Sequence, residues 1–165
     1  MQTTPEARDH EMSAAADDDK VLNLTRRFDA PPQAVFEAFT DPDQLVRWWG
    51  PEGMDVPEFS IDLRVGGTWR TCMRSSSGEL HCVRGIYKAI EPPRRLVMTW
   101  AWEGGEYADM ETLVSFEFRE SNGGTELHLR HEQFDSREQR DRHNMGWSSS
   151  MNCLAAYLAE AGGAA

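Results

Sequence analysis

A chain of 165 residues can bury one substantial core but would be cramped as two domains, since a domain of about 150 residues buries roughly 70% of the surface its unfolded chain exposes. A formal net charge of -11 argues against nucleic acid and against an anionic membrane surface as partners, because such affinity comes from clustered Lys and Arg. The apolar share of 39% is weighted toward six Trp, seven Phe and eight Met, side chains that fill cores and line ligand pockets equally well.

Residues 1 to about 20 are expected to be a disordered acidic tail, because Glu6, Asp9, Glu11, Asp17, Asp18 and Asp19 accompany almost no large apolar residues. From Val21 to Phe28 the alternation of Leu22, Leu24 and Phe28 with Asn23, Thr25 and Arg27 predicts a strand. Pro31 and Pro32 then suit a first helical turn, and Val35, Phe36 and Phe39 carry a short helix ending near Thr40. Asp41 can cap a second short helix that tolerates Pro42 and runs through Leu45 to Trp48 and Trp49, where Gly50-Pro51 stops it.

From Met54 to about Glu132 the pattern predicts six strands separated by turn residues. Phe59, Ile61 and Leu63 alternate with charged or polar neighbours; Gly66-Gly67 turns the chain; Trp69, Thr71 and Met73 oppose Arg70, Cys72 and Arg74. After the Ser75-Ser76-Ser77-Gly78 loop, His81, Val83, Gly85 and Tyr87 share a face, and Pro92-Pro93 breaks the strand. Leu96, Met98, Trp100 and Trp102 form the next inward set, followed by the Gly104-Gly105 turn, then Val114, Phe116 and Phe118, then Leu127, Leu129 and His131. Charged residues on the opposite faces must meet water, so these sets face the core.

From about Ser136 to Glu160 runs the longest helical pattern, with Ser136 and Gln139 spaced as a capping box and Trp147, Met151, Leu154 and Leu158 forming one stripe. Residues 161–165 are expected to fray. This order predicts an α+β helix-grip fold: a seven-stranded curved antiparallel sheet around a long C-terminal helix, with two short helices after the first strand, all in one domain over 21–160.

Several segments also carry a resemblance: Phe28-Asp29-Ala30-Pro31, Val35-Phe36, Thr40-Asp41-Pro42, Trp48-Trp49-Gly50-Pro51, Gly66-Gly67, Gly85-Ile86-Tyr87, Pro92 to Leu96, and Gly146-Trp147. On these the chain resembles the START and birch-pollen-allergen-like (SRPBCC) superfamily, and within it the family named after the activator of the heat-shock protein 90 ATPase. The resemblance implies a deep cavity between helix and sheet, used across the superfamily for lipids, polyketides, plant hormones and aromatic compounds, and in some members for catalysis. True chaperone activators resemble this domain only in their C-terminal half and carry a further N-terminal domain, where this chain has its acidic tail.

The candidate ligand-binding set is the inward group Trp69, Met73, His81, Met98, Trp100, Phe116, His131, Trp147 and Met151, which offers indole and imidazole groups where a plain core would use Leu, Ile and Val. His131 is the sharpest of these, as a neutral imidazole could bond a ligand carbonyl or hydroxyl; the competing role is a core histidine satisfied by a neighbouring hydroxyl. Trp48 and Trp49 either line a pocket rim, anchor a partner protein, or seal the short helices onto the sheet.

Catalysis is the less favoured reading. His131 or His81 could pair with Glu58, Asp62 or Glu111, but no spacing brings them together, and no HExxH, GxSxG or phosphate loop occurs. Neither metal nor cofactor is expected. Cys72, Cys82 and Cys153 are too scattered for a zinc site and read as reduced thiols; the hairpin sets Cys72 nearly opposite Cys82, where a disulfide is conceivable but chance proximity is preferred in a reducing cytosol. The expected partner is an apolar or aromatic small molecule, with a chaperone contact as the alternative, in a cytoplasmic monomer or homodimer. Carrier, sequestering or sensing roles, a stress-related one included, fit that expectation.

Overall fold

The computed structural model describes residues 19–108 and 110–164, with side chains through residue 161. Seven strands form one antiparallel sheet: β1 (Leu22–Phe28), β2 (Asp55–Ile61), β3 (Thr68–Arg74), β4 (Leu80–Glu91), β5 (Arg95–Trp102), β6 (Thr112–Ser121) and β7 (Gly124–Glu132), in the order β1-β7-β6-β5-β4-β3-β2. From β2 to β7 each strand pairs with its sequence neighbour, so the sheet is a meander that β1 extends beyond β7. The sheet curves around the long helix α3 (Arg137–Ala164), while α1 (Pro32–Thr40) and α2 (Pro42–Trp48) close one end. The α+β helix-grip architecture is thus the one the alternation predicts. Residues 1–18, most of the expected tail, lie outside the described residues.

Local chemistry explains the boundaries. Asp41 ends α1 and accepts the Asp43 backbone N–H at 3.1 Å, capping α2, whose first residue is Pro42. At the start of α3 the Ser136 hydroxyl accepts the Gln139 N–H at 3.1 Å, and the Gln139 side-chain oxygen reaches back one residue further than expected, to the Asp135 N–H at 2.6 Å. Asp19 joins this cap region through its ion pair with Arg137 at 3.1 Å. The helix extends to Ala164, past the boundary expected near Glu160.

The core is one contiguous cluster, in which Leu22, Phe28, Phe36, Phe116, Leu129 and Leu154 are all buried. Two expectations need correction. Phe59 and Leu63, read as inward, are 41% and 44% exposed, because β2 is the edge strand, Leu63 lies beyond its end, and no further strand covers them. Cys72 and Cys82, read as reduced thiols, form a disulfide. The register pairs them directly across β3 and β4, with Cα atoms 4.0 Å apart, so the ladder itself delivers the two sulfurs to each other. Cys153 stays a thiol, and its partial burial together with nearby Glu52 pushes its pKa up.

At Gly85 the backbone of β5 approaches so closely that a Cβ would stand 1.9 Å from the Thr99 carbonyl oxygen. The Trp69 indole crosses β4 at this point, its register partner being Gly85, and donates to that carbonyl at 3.2 Å. Only a residue without a side chain leaves room for both.

Candidate functional site

The two ends of the helix–sheet interface differ in filling. Around α1 the Phe36–Phe118, Phe39–Phe116 and Phe39–Phe118 ring pairs pack edge-on or tilted at centroid distances of 4.7–5.3 Å. Toward the other end lies a cavity of about 560 Å³, bounded by the turn after α2, by β3 to β5, by the Gly104–Tyr107 turn and by one face of α3.

Of the residues singled out in the sequence, Met73, His81, Trp100 and Trp147 line this cavity, as does Trp49. Trp69, Met98, Phe116, His131 and Met151 sit behind that wall, each at most 4% exposed, and Trp48 is packed under α1 with its indole donating to the Ala38 carbonyl at 2.9 Å. Trp48 and Trp49 are therefore seals and wall: they are 2% and 5% exposed, and Trp49 donates to the Thr71 hydroxyl at 2.9 Å.

His131 is committed to the protein itself. The Trp147 indole N–H, which can only donate, gives its proton to His131 Nδ1 at 3.0 Å. Nδ1 must then carry the lone pair, so Nε2 holds the hydrogen and donates to the Thr112 hydroxyl at 2.7 Å. Thr112 in turn donates to the Trp100 carbonyl at 3.2 Å. Complete burial, followed by the nearby His143, holds the His131 pKa well below the ordinary value, so the ring is neutral. Both ring nitrogens of His131 thus have protein partners, the arrangement of a core histidine satisfied by a neighbouring hydroxyl that the sequence also offered.

His143, absent from the sequence-based set, repeats the arrangement on the cavity wall itself. Its Nε2 accepts the Trp102 indole N–H at 2.9 Å, and its Nδ1–H donates to the Gln139 carbonyl one helical turn earlier at 2.8 Å. Burial lowers its pKa, against an opposing effect of the Gln139 bond. A signal for His143 existed in the sequence: the stripe Trp147, Met151, Leu154 continues four residues backward onto it. Tyr107 and Arg142, also missed, stand at the cavity's edge. Arg142 pairs with Glu106 at 2.6 Å and Glu138 at 3.3 Å, and its guanidinium lies 5.8 Å from the Tyr107 ring centroid. The loop carrying Glu106 and Tyr107 has no periodicity from which a side-chain direction could be read.

Among the cavity's indoles one is unlike the others. Trp100 is 5% exposed, touches the rings of Trp49, Trp69, Trp102 and Trp147 at 5.1–6.0 Å, and its Nε1–H meets no acceptor among the described residues. The Tyr107 hydroxyl is likewise enclosed, and desolvation raises its pKa, with the nearby Arg142 guanidinium opposing.

Among the described residues no group of three or more His, Cys, Asp or Glu side chains could hold a metal ion. Two of the carboxylates considered for acid–base work are paired elsewhere, Glu58 with Arg70 at 3.4 Å and Asp62 with Arg64 at 2.9 Å, and His81 meets the exposed Glu79 at 3.1 Å. No helix of the described residues is long and apolar enough to cross a membrane.

A curved antiparallel sheet gripping one long helix, with an aromatic cavity between them, defines a helix-grip domain of the SRPBCC type. Within that class the chain belongs to the family of activator of Hsp90 ATPase homolog 1-like proteins, whose pattern matches residues 29–159. The AHSA1 protein from Silicibacter pomeroyi is 35% identical, with 84% of this chain and 97% of that one covered and a TM-score of 0.75. A protein from Chromobacterium violaceum is 27% identical over 82% of this chain and 95% of its own, with a TM-score of 0.74. One from Mycobacterium smegmatis is 25% identical over 86% and 92%, with a TM-score of 0.73. No curated protein matches the chain. Members of the family generally bind small hydrophobic ligands.

Proposed function

We propose that the cavity between α3 and the sheet takes up an apolar or aromatic small molecule, making this protein a cytoplasmic carrier, sequestering protein or sensor. The observation that carries the reading is the cavity itself: about 560 Å³, inside the range of about 300–1,000 Å³ usual for small-molecule sites. Its walls support an apolar occupant, since the indoles of Trp49, Trp100, Trp102 and Trp147 dominate them and the imidazoles of His131 and His143 have both their nitrogens engaged within the protein. Burial of a ligand's apolar surface there is worth about 25 cal/mol per Å² before the cost of immobilising it.

The competing roles lack comparable support. Trp48 and Trp49, the surface anchors a chaperone contact would use, are buried, and His131 has no ring nitrogen free for proton transfer. Native mass spectrometry of gently purified protein, followed by calorimetric titration with a panel of fatty acids, sterols and polycyclic aromatics, tests the proposal. A retained adduct, or one-to-one binding in the micromolar range or tighter, is expected. Heat signals at background across the whole panel would overturn it.

A further inference from the structure

The Cys72–Cys82 disulfide occupies a rung of the β3–β4 ladder whose two neighbouring rungs both serve the cavity. Side chains alternate across a strand, so these neighbours turn to the opposite face from the sulfurs. One rung is Met73 with His81, both on the cavity wall; the other is Thr71 with Val83, where the Thr71 hydroxyl accepts the indole N–H of the wall residue Trp49 at 2.9 Å. The Cys82 carbonyl accepts the Glu103 backbone N–H at 2.9 Å, and Glu103 opens the Gly104–Tyr107 turn at the cavity's edge. On the sulfurs' own face Arg70 and Arg84, two residues from Cys72 and Cys82, hold the Glu103 carboxylate at 2.7 and 3.7 Å. Three parts of the cavity's boundary therefore hang on this one rung.

The bond's two ends differ in access, since Cys72 is wholly buried whereas Cys82 is partly exposed. A dithiol reductant opens the bond through Cys82. Its first thiolate bonds to Cys82 Sγ, Cys72 Sγ leaves with the S–S electron pair and takes a proton, and the second thiol displaces Cys82 as it closes the reductant's own disulfide. Two electrons and two protons pass to the protein. The freed sulfurs retreat from bonding distance to van der Waals contact, and Cys72 has no exposed surface into which to swing, so the rung itself takes up the separation.

We propose that Cys72–Cys82 is a redox switch on ligand uptake: oxidised, the rung holds the wall in its binding shape, and reduction by a dithiol loosens Met73, His81 and the Gly104–Tyr107 turn and lets the ligand go. This rests on the cavity being a ligand site and adds what governs its occupancy. It also suits a protein of a reducing compartment, where the disulfides that form are mostly transient or sensing ones. Cys153, on α3 with its thiol pKa raised, takes no part.

Nile red, an uncharged apolar aromatic dye, serves as the probe in fluorescence titrations of the full chain, first oxidised with glutathione disulfide and then reduced with dithiothreitol. The oxidised protein is expected to bind it roughly fivefold tighter or more, the lower end of ordinary coupling between two sites. Coupling is reciprocal, so saturating dye should shift the thiol–disulfide equilibrium toward the disulfide by the same factor. The double variant Cys72→Ser/Cys82→Ser should bind like the reduced form and ignore dithiothreitol, whereas Cys153→Ser should switch as the parent does. Reduced protein should keep its far-ultraviolet circular dichroism; unfolding on reduction would make the bond a structural staple and overturn the switch. Equal affinities in the two states, a bond that dithiothreitol leaves intact in the folded protein, or thiols that glutathione disulfide fails to join would also overturn it, with the cavity still a binding site. Dye that binds neither state would overturn the switch together with the reading beneath it.

Discussion

The two ends of the helix–sheet interface use aromatic residues of different kinds. Under α1 they are phenylalanines, Phe36, Phe39, Phe116 and Phe118, which need no polar partner and pack to closure. Around the cavity they are tryptophans and histidines, and all but Trp100 among these tryptophans are tied to a neighbour by a directed bond. A phenylalanine cluster is held by contact and collapses onto any space it is given. An indole–imidazole cluster is held by hydrogen bonds whose geometry fixes each ring, so a wall can stand with nothing behind it. The closed end supplies stability, and the bonded end keeps a cavity open.

The largest effect should come from breaking the closed end. Phe116→Ala is expected to cost about 3–5 kcal/mol in chemical denaturation, the loss typical of a fully buried phenylalanine, since Phe116 is wholly enclosed and touches Phe39 and Trp147. His131→Ala strikes the bonded end, stranding the Trp147 indole N–H and removing the donor to the Thr112 hydroxyl. A loss of about 2–3 kcal/mol should follow, and a His131→Asn variant that restores a single acceptor should recover part of it. A loss under half a kcal/mol would mean that water replaces the imidazole and the wall is not held as described.

Mild acid should weaken the bonded end. Burial depresses the pKa of both His131 and His143 in the fold, so below about pH 6.5 the unfolded chain takes up protons that the folded chain refuses. The stability these rings permit is full above that pH and declines beneath it by about 1.4 kcal/mol per pH unit for each ring, until the folded groups themselves titrate. Denaturation midpoints measured between pH 7 and 5 should show the slope, and His143→Gln should reduce it.

The smallest effect concerns the cavity's own lining. Gly146 lies in α3 on the cavity face, where an added Cβ would meet only the Pro51 ring, at 4.0 Å. Gly146→Ala should raise stability by about 0.5–1 kcal/mol through helix propensity. Gly146→Leu should keep the fold, by circular dichroism, and weaken ligand uptake by occupying its space. Undiminished uptake in that variant would place the ligand elsewhere.

The closed end was also the more legible in sequence. Alternation against charged neighbours assigns Phe116, Phe118, Leu127 and Leu129 inward without ambiguity, and Asp41-Pro42 and Ser136 mark helix starts through bonds made within three residues. The same alternation assigns His131 and Trp100 inward equally well, but it cannot say which of them faces empty space. That depends on where α3 lies over the sheet, a tertiary fact. Tyr107 sits in an aperiodic turn, and Phe59 belongs to a strand whose exposure follows from its being last in the sheet order. The Cys72–Cys82 opposition could be read from the hairpin; the bond between them could not, because sequence spacing carries no redox information.

The six tryptophans form one connected set: Trp48 meets Trp49 at 5.5 Å, Trp49 meets Trp69, Trp100 and Trp147 at 5.8–6.2 Å, and Trp100 meets Trp102 at 5.7 Å. Indoles at such spacing share excitation, so the near-ultraviolet absorption, dichroism and emission of this protein behave as those of a single pooled chromophore. That chromophore is the cavity wall and its backing. Light therefore reads the cavity end most strongly, and reaches the phenylalanine end only through Trp48, which packs on Phe39 at 4.8 Å. An optical melting curve will report when the wall comes apart, and only a backbone signal will tell whether the closed end went with it.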